Sequence, residues 1–596
     1  MRYIPSIAVA LIAVLLLFPL LGLSPVFQVS EAREGVVVNQ ILNGGSILLP
    51  LRNGHIIPSK PILFHWLSAA WAVMSGNYEE FGLRAISCIA AISSVLVLYN
   101  FISSLCGVRS GLVGALILLS TYGFVHLAQD GRVDMLFCFF ATASICAWLG
   151  AFYGTLNCEN PQNNRIPTSR YILVGILAGL AFLTKGPLGL VLPAIVIASV
   201  AFVYRGFRGV WALLNPGWIF AIVIPLPWYL FAALKQDSAF VSRQIYFENF
   251  QRFIGADGIV AKPFWFYVPH VFGQAAPWSF VFVAYLMYLL AKKIRQFDFS
   301  VKTFAWREPI SGDNFLHGVG LIWFLIGVVF FSVAVGKRRA YLLPLLPAMA
   351  MTLTVVLCRF KEYLAGRSAS EVLSKPRFAA GVLVWLIALL FVVGVYSIYA
   401  NPSAFSIAES FSSINGDNRF DDLMAALSVV LESHLGIIIT YVVLFLALSL
   451  FFWFRGFLRA RLEFVALAIF VFLQLLLVLV NTGIALKGVT HTYRGFAEEV
   501  RERVSHEQDI RFVKHVMDES FDGFFFYFRR NVVMLSPDEP LRTPGLYLAR
   551  RAWFETNVAN PSSNRLPFHV IASGGRLVDQ ETEKLVLFEV YPLSPS

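Results

Sequence analysis

Ionisable residues in this chain fall in short groups at the ends of long apolar runs. Glu31, Arg33 and Glu34 lie in SEAREG, Lys60 in PSKP, Arg132 and Asp134 in GRVDM, and Lys185 in TKGP. Glu248 and Arg252 lie in FENFQRF, and Lys337, Arg338 and Arg339 precede Tyr341 in GKRRAYLLP. Charge is costly at membrane depth, so ionisable groups beside apolar runs are candidates for function. Carboxylates mixed with several cations suit one kind of chemistry. Lys and Arg hold a phosphate and stabilise the charge that develops on a phosphorylated leaving group. A carboxylate takes the proton of an acceptor hydroxyl, or stabilises positive charge at an anomeric carbon as a glycosidic bond breaks. A polyprenyl phosphate-linked sugar is a donor of this type. For each Lys or Arg the competing role is to anchor a helix end at the interface. That role fits Glu31 and Asp134 less well, because acidic side chains are not favoured anchors. Lys60-Pro61 and Lys185-Gly186-Pro187 also fit turns after helices.

The elements that carry these groups are membrane helices. Of 596 residues, 58% are hydrophobic and 14% charged, against about 45–50% and about 25% in soluble domains. A spanning helix needs roughly 20 mostly apolar residues. About thirteen candidates run near 4–23, 83–105, 111–128, 135–154, 171–184, 187–204, 211–234, 265–291, 316–335, 341–357, 378–399, 435–454 and 462–485. No A-x-A cleavage site follows the first, so it reads as a retained helix and not a signal peptide. Placing the N-terminus inside puts nearly every long basic loop on the inner side, as the positive-inside rule requires. The odd helix count then puts the C-terminal segment outside, in the periplasm if the membrane is a bacterial inner membrane. Every charged group named above falls on that outer side. The net charge of +11 sits in short breaks between apolar runs, which points to anionic lipid head groups and away from nucleic acid.

Three outer segments stand out: 24–82, with amphipathic stretches at 31–44 and 61–75; 235–264; and 400–434, which reads as a polar lid or linker. Composition changes after 486, so the division is a transmembrane domain over 1–486 and a small α/β domain over 487–596. In the latter, Phe496, Val500 and Val504 recur at helical spacing within 493–505. Runs at 524–528, 545–553, 567–572 and 584–591 read as strands. None of the six cysteines lies in a CxxC pair, and the expectation is small buried apolar residues, with neither disulfide nor structural zinc.

Order and spacing of these motifs resemble the bacterial lipid A aminoarabinose transferases, within the protein O-mannosyltransferase-like GT-C glycosyltransferases. The resemblance covers most of residues 1–350. It rests on the acidic-x-Arg motif after the first helix, the NG and KP at 53–61, RVDM at 132–135, TKG at 184–186, QRF followed by PFWFYVP at 251–269, and FSVAVGKRRAYLLP at 331–344. It implies a GT-C fold of about thirteen helices, an outward-facing cavity, an undecaprenyl phosphate-linked sugar donor and a periplasmic C-terminal domain. By the same resemblance, Glu31 and Asp134 are the catalytic carboxylates, with Glu34 mattering less. Lys60 and Arg252 hold the carrier phosphate, and Arg33, Lys185, Lys337, Arg338 and Tyr341 join the substrate site. Family members have Asp then Glu after the first helix; here the pair is Ser30 and Glu31. Two positions that are candidate metal ligands in the aminoarabinose enzymes are Ser59 and Asn249 here. The expectation is therefore no cofactor, with a divalent cation the alternative and His55, His65 and Glu248 its first ligands. The expected acceptor is lipid A or another envelope glycolipid. A flippase or transporter of lipid-linked sugars and a protein O-glycosyltransferase are the competing functions. The chain has no P-loop and no matching inverted halves.

Overall fold

A computed structural model describes residues 4–158, 165–251, 254–255, 261–295, 310–365, 419–459, 462–505, 508–513, 521–536, 543–560, 567–576, 579 and 583–592. Among these, nine helices are long and apolar enough to cross a membrane. They match nine of the thirteen expected spans. The 111–128 candidate is a helix pair, Val108–Leu119 and Tyr122–Ala128, bent by 70°. The first and eighth candidates are the shorter apolar helices Ile4–Leu17 and Trp278–Lys292. The candidate at 378–399 lies outside the described residues.

The site is carried by a few elements: α1 (Ile4–Leu17), α2 (Val29–Leu42), α3 (Leu63–Ser75), α4 (Glu80–Cys106), α5 (Val108–Leu119), α6 (Tyr122–Ala128), α7 (Val133–Leu156), α8 (Thr168–Lys185) and α9 (Leu188–Trp211). Helices α4 and α7 pack together at the centre, through Val95, Leu98, Phe137, Ala141 and Trp148. Asp134 sits in the first turn of α7 and Lys185 in the last turn of α8. An acid at a helix N-terminus and a base at a C-terminus both complement the helix dipole. Gly186, at φ 78°, lets the chain turn after α8 in a conformation that an L side chain resists, and Pro187 cannot continue that helix.

The amphipathic stretches of the first outer loop are α2 and α3. Helix α2 is buried on every side from Glu31 to Gln40, because it lies between the bundle and the C-terminal domain. The expected polar segment 400–434 divides differently: 419–434 belong to the long helix Arg419–Arg459, and 400–418 lie outside the described residues.

The C-terminal domain is a five-stranded mixed sheet in the order β2-β1-β3-β5-β4. Its strands are β1 (Ile510–Val513), β2 (Val533–Leu535), β3 (Gly545–Arg550), β4 (Phe568–Gly574) and β5 (Leu585–Val590). β1 runs parallel to β2 and β3, while β5 pairs antiparallel with β3 and β4, with Tyr547 opposite Phe588. Side chains alternate between faces, as a strand requires. Leu546 and Leu548 face the aromatic layer that joins the membrane bundle, whereas Tyr547 and Ala549 build a separate core with Phe554 and Phe588. The expected helix over 493–505 is Arg494–Arg503, with Phe496 and Val500 buried. The run 524–528, expected as a strand, is a helix, Asp522–Phe528, with every residue buried. Its aromatics favour strands intrinsically, but tertiary packing overrides that preference. β1 and β2 are too short to have shown in the pattern.

Candidate active site at one end of the bundle

The expected groups converge at one end of the bundle, under the C-terminal domain. Helix α2 stands between two polar cavities. On one side Glu31 and Arg84 form a bidentate pair, Nε to Oε1 at 2.6 Å and Nη2 to Oε2 at 2.9 Å. The Gly131 N–H adds a third bond to Glu31 Oε1, at 2.8 Å. Arg84 spends its remaining nitrogen, Nη1, on the carbonyls of Leu21 and Ser24, at 2.8 and 2.5 Å. A cavity of about 40 Å³ beside this pair is lined by Glu31, Arg84, His126, Gln129, Asp130 and Asn481, among others. Burial and the neighbouring Glu31 carboxylate push Asp130 up to about 7, against the pull of Arg132 and Arg84.

On the other side of α2 is a cation-rich cavity lined by Arg33, Glu34, Arg52, Ser59 and Arg243, with Val37, Ile57 and Pro58. Glu34 accepts from Arg33 Nη2 at 3.3 Å and meets His65 Nε2 at 2.9 Å. Burial pushes its carboxyl up, but the His65 hydrogen bond and the Arg33, His65 and Lys60 charges outweigh that and hold it at about 2. Lys60 Nζ reaches Glu248 Oε2 at 3.1 Å, and Arg243 approaches the other oxygen at 3.6 Å. The Ser59 hydroxyl is buried with no hydrogen-bond partner among the described residues.

A third group adjoins these. Asp134 lies between Lys185, at 2.6 Å, and Arg132, at 3.0 Å. Lys185 also stands over the rings of Phe137 and Tyr341, 4.9 and 5.1 Å from their centroids. Arg132 lies within electrostatic reach of Glu34, and Arg338 of Asp134, so the carboxylates and cations form one connected field.

Eight of the nine expected site residues can be placed. Glu31, Arg33, Lys60, Asp134, Lys185, Arg338 and Tyr341 belong to this field. Lys337 does not face the carboxylates: its Nζ donates to the carbonyls of Lys262, at 3.0 Å, and Ala334, at 2.5 Å, closing the loop after a helix. Arg252 lies outside the described residues. The two glutamates of α2 have different surroundings. Glu31 has both oxygens committed to a guanidinium, whereas Glu34 lines the cation-rich cavity. Residues 31 and 34 are neighbours along one strip of a helix, but each turns to a different cavity. Sequence reasoning missed Arg84, although a lone arginine in the apolar run EFGLRAIS was a signal. It also missed Arg52, Asp130, Arg243 and Asp522, for which the sequence carried none.

Three or four Cys, His or carboxylate ligands are typical of a transition-metal site, and no cluster of three occurs among the described residues. His65 is committed to Glu34, Glu248 to Lys60, and His55 Nδ1 to the Asn53 carbonyl at 2.8 Å.

Known proteins share this architecture. Residues 59–231 match the dolichyl-phosphate-mannose-protein mannosyltransferase family. The chain is 25% identical over 378 residues to an undecaprenyl phosphate-alpha-4-amino-4-deoxy-L-arabinose arabinosyl transferase of Shewanella sediminis, covering 63% of this chain and 64% of that one. It is 27% identical over 331 residues to the protein of the same name from Edwardsiella ictaluri, covering 54% of each. It thus spans less than two thirds of the length of these relatives. The crystal structure of ArnT from Cupriavidus metallidurans bound to undecaprenyl phosphate superposes with a TM-score of 0.68 over 98% of both chains, at 16% identity. The apo form gives 0.64 at 15% identity, over 98% of this chain and 97% of that one. At such identities the likeness establishes the fold. Fold, family model and relatives point the same way: the chain has the fold of the ArnT structure and is similar in sequence to the arabinosyl transferases.

Proposed function

We propose that this protein transfers a sugar from an undecaprenyl phosphate-linked donor to an acceptor on the periplasmic side of a bacterial inner membrane, with lipid A or another envelope glycolipid as acceptor. The observation that carries the reading is the cation-rich cavity of Arg33, Arg52 and Arg243 beside the buried Glu34, with Lys60 next to the lining Ser59 in sequence and paired with Glu248. Cations converging on a site shielded from water stabilise a phosphate leaving group far more than they would in water. The names of the relatives and the undecaprenyl phosphate bound to the structural neighbour point to the same donor.

In the proposed reaction the acceptor oxygen attacks the anomeric carbon. The bond from that carbon to the phosphate oxygen breaks, and its electron pair stays on the phosphate. Lys60, Arg252 and the arginines of the cavity hold that phosphate. If the acceptor is a hydroxyl, its proton passes to a carboxylate on the cavity wall; Glu34 lines that wall and serves once its bonds to Arg33 and His65 give way. Glu31 and Asp134 are essential in another way, since they fix the positions of Arg84, Arg132 and Lys185. The phosphate is neutralised by side-chain cations, and no step requires a metal.

Purified protein in liposomes, supplied with a radiolabelled lipid-linked sugar and envelope glycolipid, tests the reading. Covalent product on the acceptor supports it. Movement of the donor across the bilayer without product would replace it with a flippase. Mass spectrometry of envelope glycolipids with and without the protein identifies the acceptor.

A further inference from the structure

The loop that presents Lys60 is tied to the C-terminal domain by a buried ion pair. Arg52 Nη1 meets Asp522 Oδ2 at 3.0 Å, and the Asp522 side chain is 1% exposed. The two residues are 470 positions apart in sequence. Arg52 opens a tight turn. Its N–H donates to the Ile56 carbonyl at 2.8 Å, and the Ile56 N–H donates back at 2.9 Å. Between them Asn53 and Gly54 are both left-handed, at φ 52° and 82°. A non-glycine residue held there costs free energy, and surrounding contacts must over-determine it. Ser59 and Lys60 follow this turn. Arg52 and Ser59 line the cavity that Arg33, Glu34 and Arg243 also line. The guanidinium of Arg52 is therefore both a wall of the cavity and the handle by which the outer domain holds the loop.

The helix that begins at Asp522 holds the opposite wall as well. Asn39 Nδ2 of α2 donates to the Phe526 carbonyl at 2.8 Å. The two helices approach so closely at Gly35 that a Cβ there would stand 2.5 Å from the Phe526 ring. The Tyr527 hydroxyl accepts from the Val26 N–H at 2.7 Å and donates to Glu80 at 2.5 Å. Helix α2, with Arg33 and Glu34, and the loop, with Arg52, Ser59 and Lys60, are thus both referenced to one short helix. We infer that Asp522 is a positioning residue for donor binding, and that the C-terminal domain sets the spacing of the cavity walls through it. This rests on the proposed donor, but its structural part can be tested separately.

The test uses the full chain in nanodiscs, with D522N and R52Q as variants. Hydrogen exchange of residues 51–60 and binding of undecaprenyl phosphate are measured beside the unfolding midpoint. In D522N we expect faster exchange confined to 51–60, and about tenfold weaker binding from loss of a charge-assisted contact. Donor KM should rise while kcat stays within about twofold, since the reacting groups are untouched. Unchanged exchange and binding in folded D522N overturns the inference. So does faster exchange spread evenly over the sheet, which marks Asp522 as a docking contact only. If D522N does not fold, R52Q decides from the loop side: a mobile loop on an intact sheet supports the inference and a protected loop refutes it. If wild-type protein binds no undecaprenyl phosphate, the donor assignment fails while exchange at 51–60 still decides the positioning.

Discussion

Replacing Glu31 by glutamine separates a structural carboxylate from a chemical one. In the native protein Glu31 and Arg84 are 2% and 4% exposed. Glu31 carries two short bonds to the guanidinium and one from the Gly131 N–H. Breaking a buried pair from one side leaves an uncompensated charge, at a cost of about 3–5 kcal/mol. The bonds of Arg84 to Leu21 and Ser24 also tie the end of α1 to α4, so E31Q should lower the unfolding midpoint by several degrees. Replacing both partners with apolar residues of similar size, E31L with R84M, removes the uncompensated charge and should restore most of that stability. The assay is thermal unfolding in detergent beside transfer of labelled sugar on the same samples. We expect E31Q to lose both stability and transfer, and the double variant to recover both in part. A fully stable E31Q with no transfer would refute the structural role and make Glu31 the reacting carboxylate. A stable double variant without transfer would lead to the same conclusion.

E34Q should lose transfer by about 10²–10⁴-fold, the usual worth of a positioned proton acceptor; activity within threefold of wild type would remove Glu34 from the chemistry. The gap between the ordinary 4.5 and about 2 for Glu34 corresponds to about 3 kcal/mol. Because the folded value is depressed, that stability is present above about pH 4.5 and lost as pH falls towards 2. Unfolding midpoints of wild type and E34Q should therefore converge on acidification over that window. K60A should raise the donor requirement at least about tenfold, read from donor titrations at fixed acceptor; an unchanged requirement would move the phosphate to the arginines of the cavity. Transfer should survive a strong chelator, and loss reversed by Zn²⁺ would make His55, His65 and Glu248 the ligands to test. A phosphatase fused after Ser596 should be active in cells, and silence there would invert the topology.

Most of the fold was legible because spanning helices write themselves in long apolar runs. Nine expected spans correspond to long apolar helices among the described residues. The departures have physical causes. The 111–128 run looked continuous because Ser120 and Thr121 are too few to break its hydropathy, yet the backbone bends there by 70°. The run at 524–528 looked like a strand because aromatics favour strands. What makes it a helix is a neighbour far away in sequence, the close face that α2 offers at Gly35. Such a contact has no local signature.

The site was legible in its membership more than in its pairing. Charged residues at the ends of apolar runs could be found one at a time, because each violates the hydropathy around it. Which carboxylate meets which cation could not, since Arg84 is 53 positions from Glu31, and Lys185 is 51 from Asp134. The pairing nevertheless decides the chemistry. Glu31 is bound bidentately by Arg84, while Glu34, paired with Arg33 and His65, also lines the cation-rich cavity. Glu31 and Glu34 are three residues apart on α2 and were nearly equivalent by type and position. Placed between two cavities, α2 gives the first to Arg84 and the second to the cavity of Arg33, Arg52 and Arg243. Division of labour between them therefore follows from how α2 is rotated, and that rotation is fixed by Asn39 and Gly35 against the C-terminal domain. The C-terminal domain thereby sets which neighbours each glutamate of α2 meets.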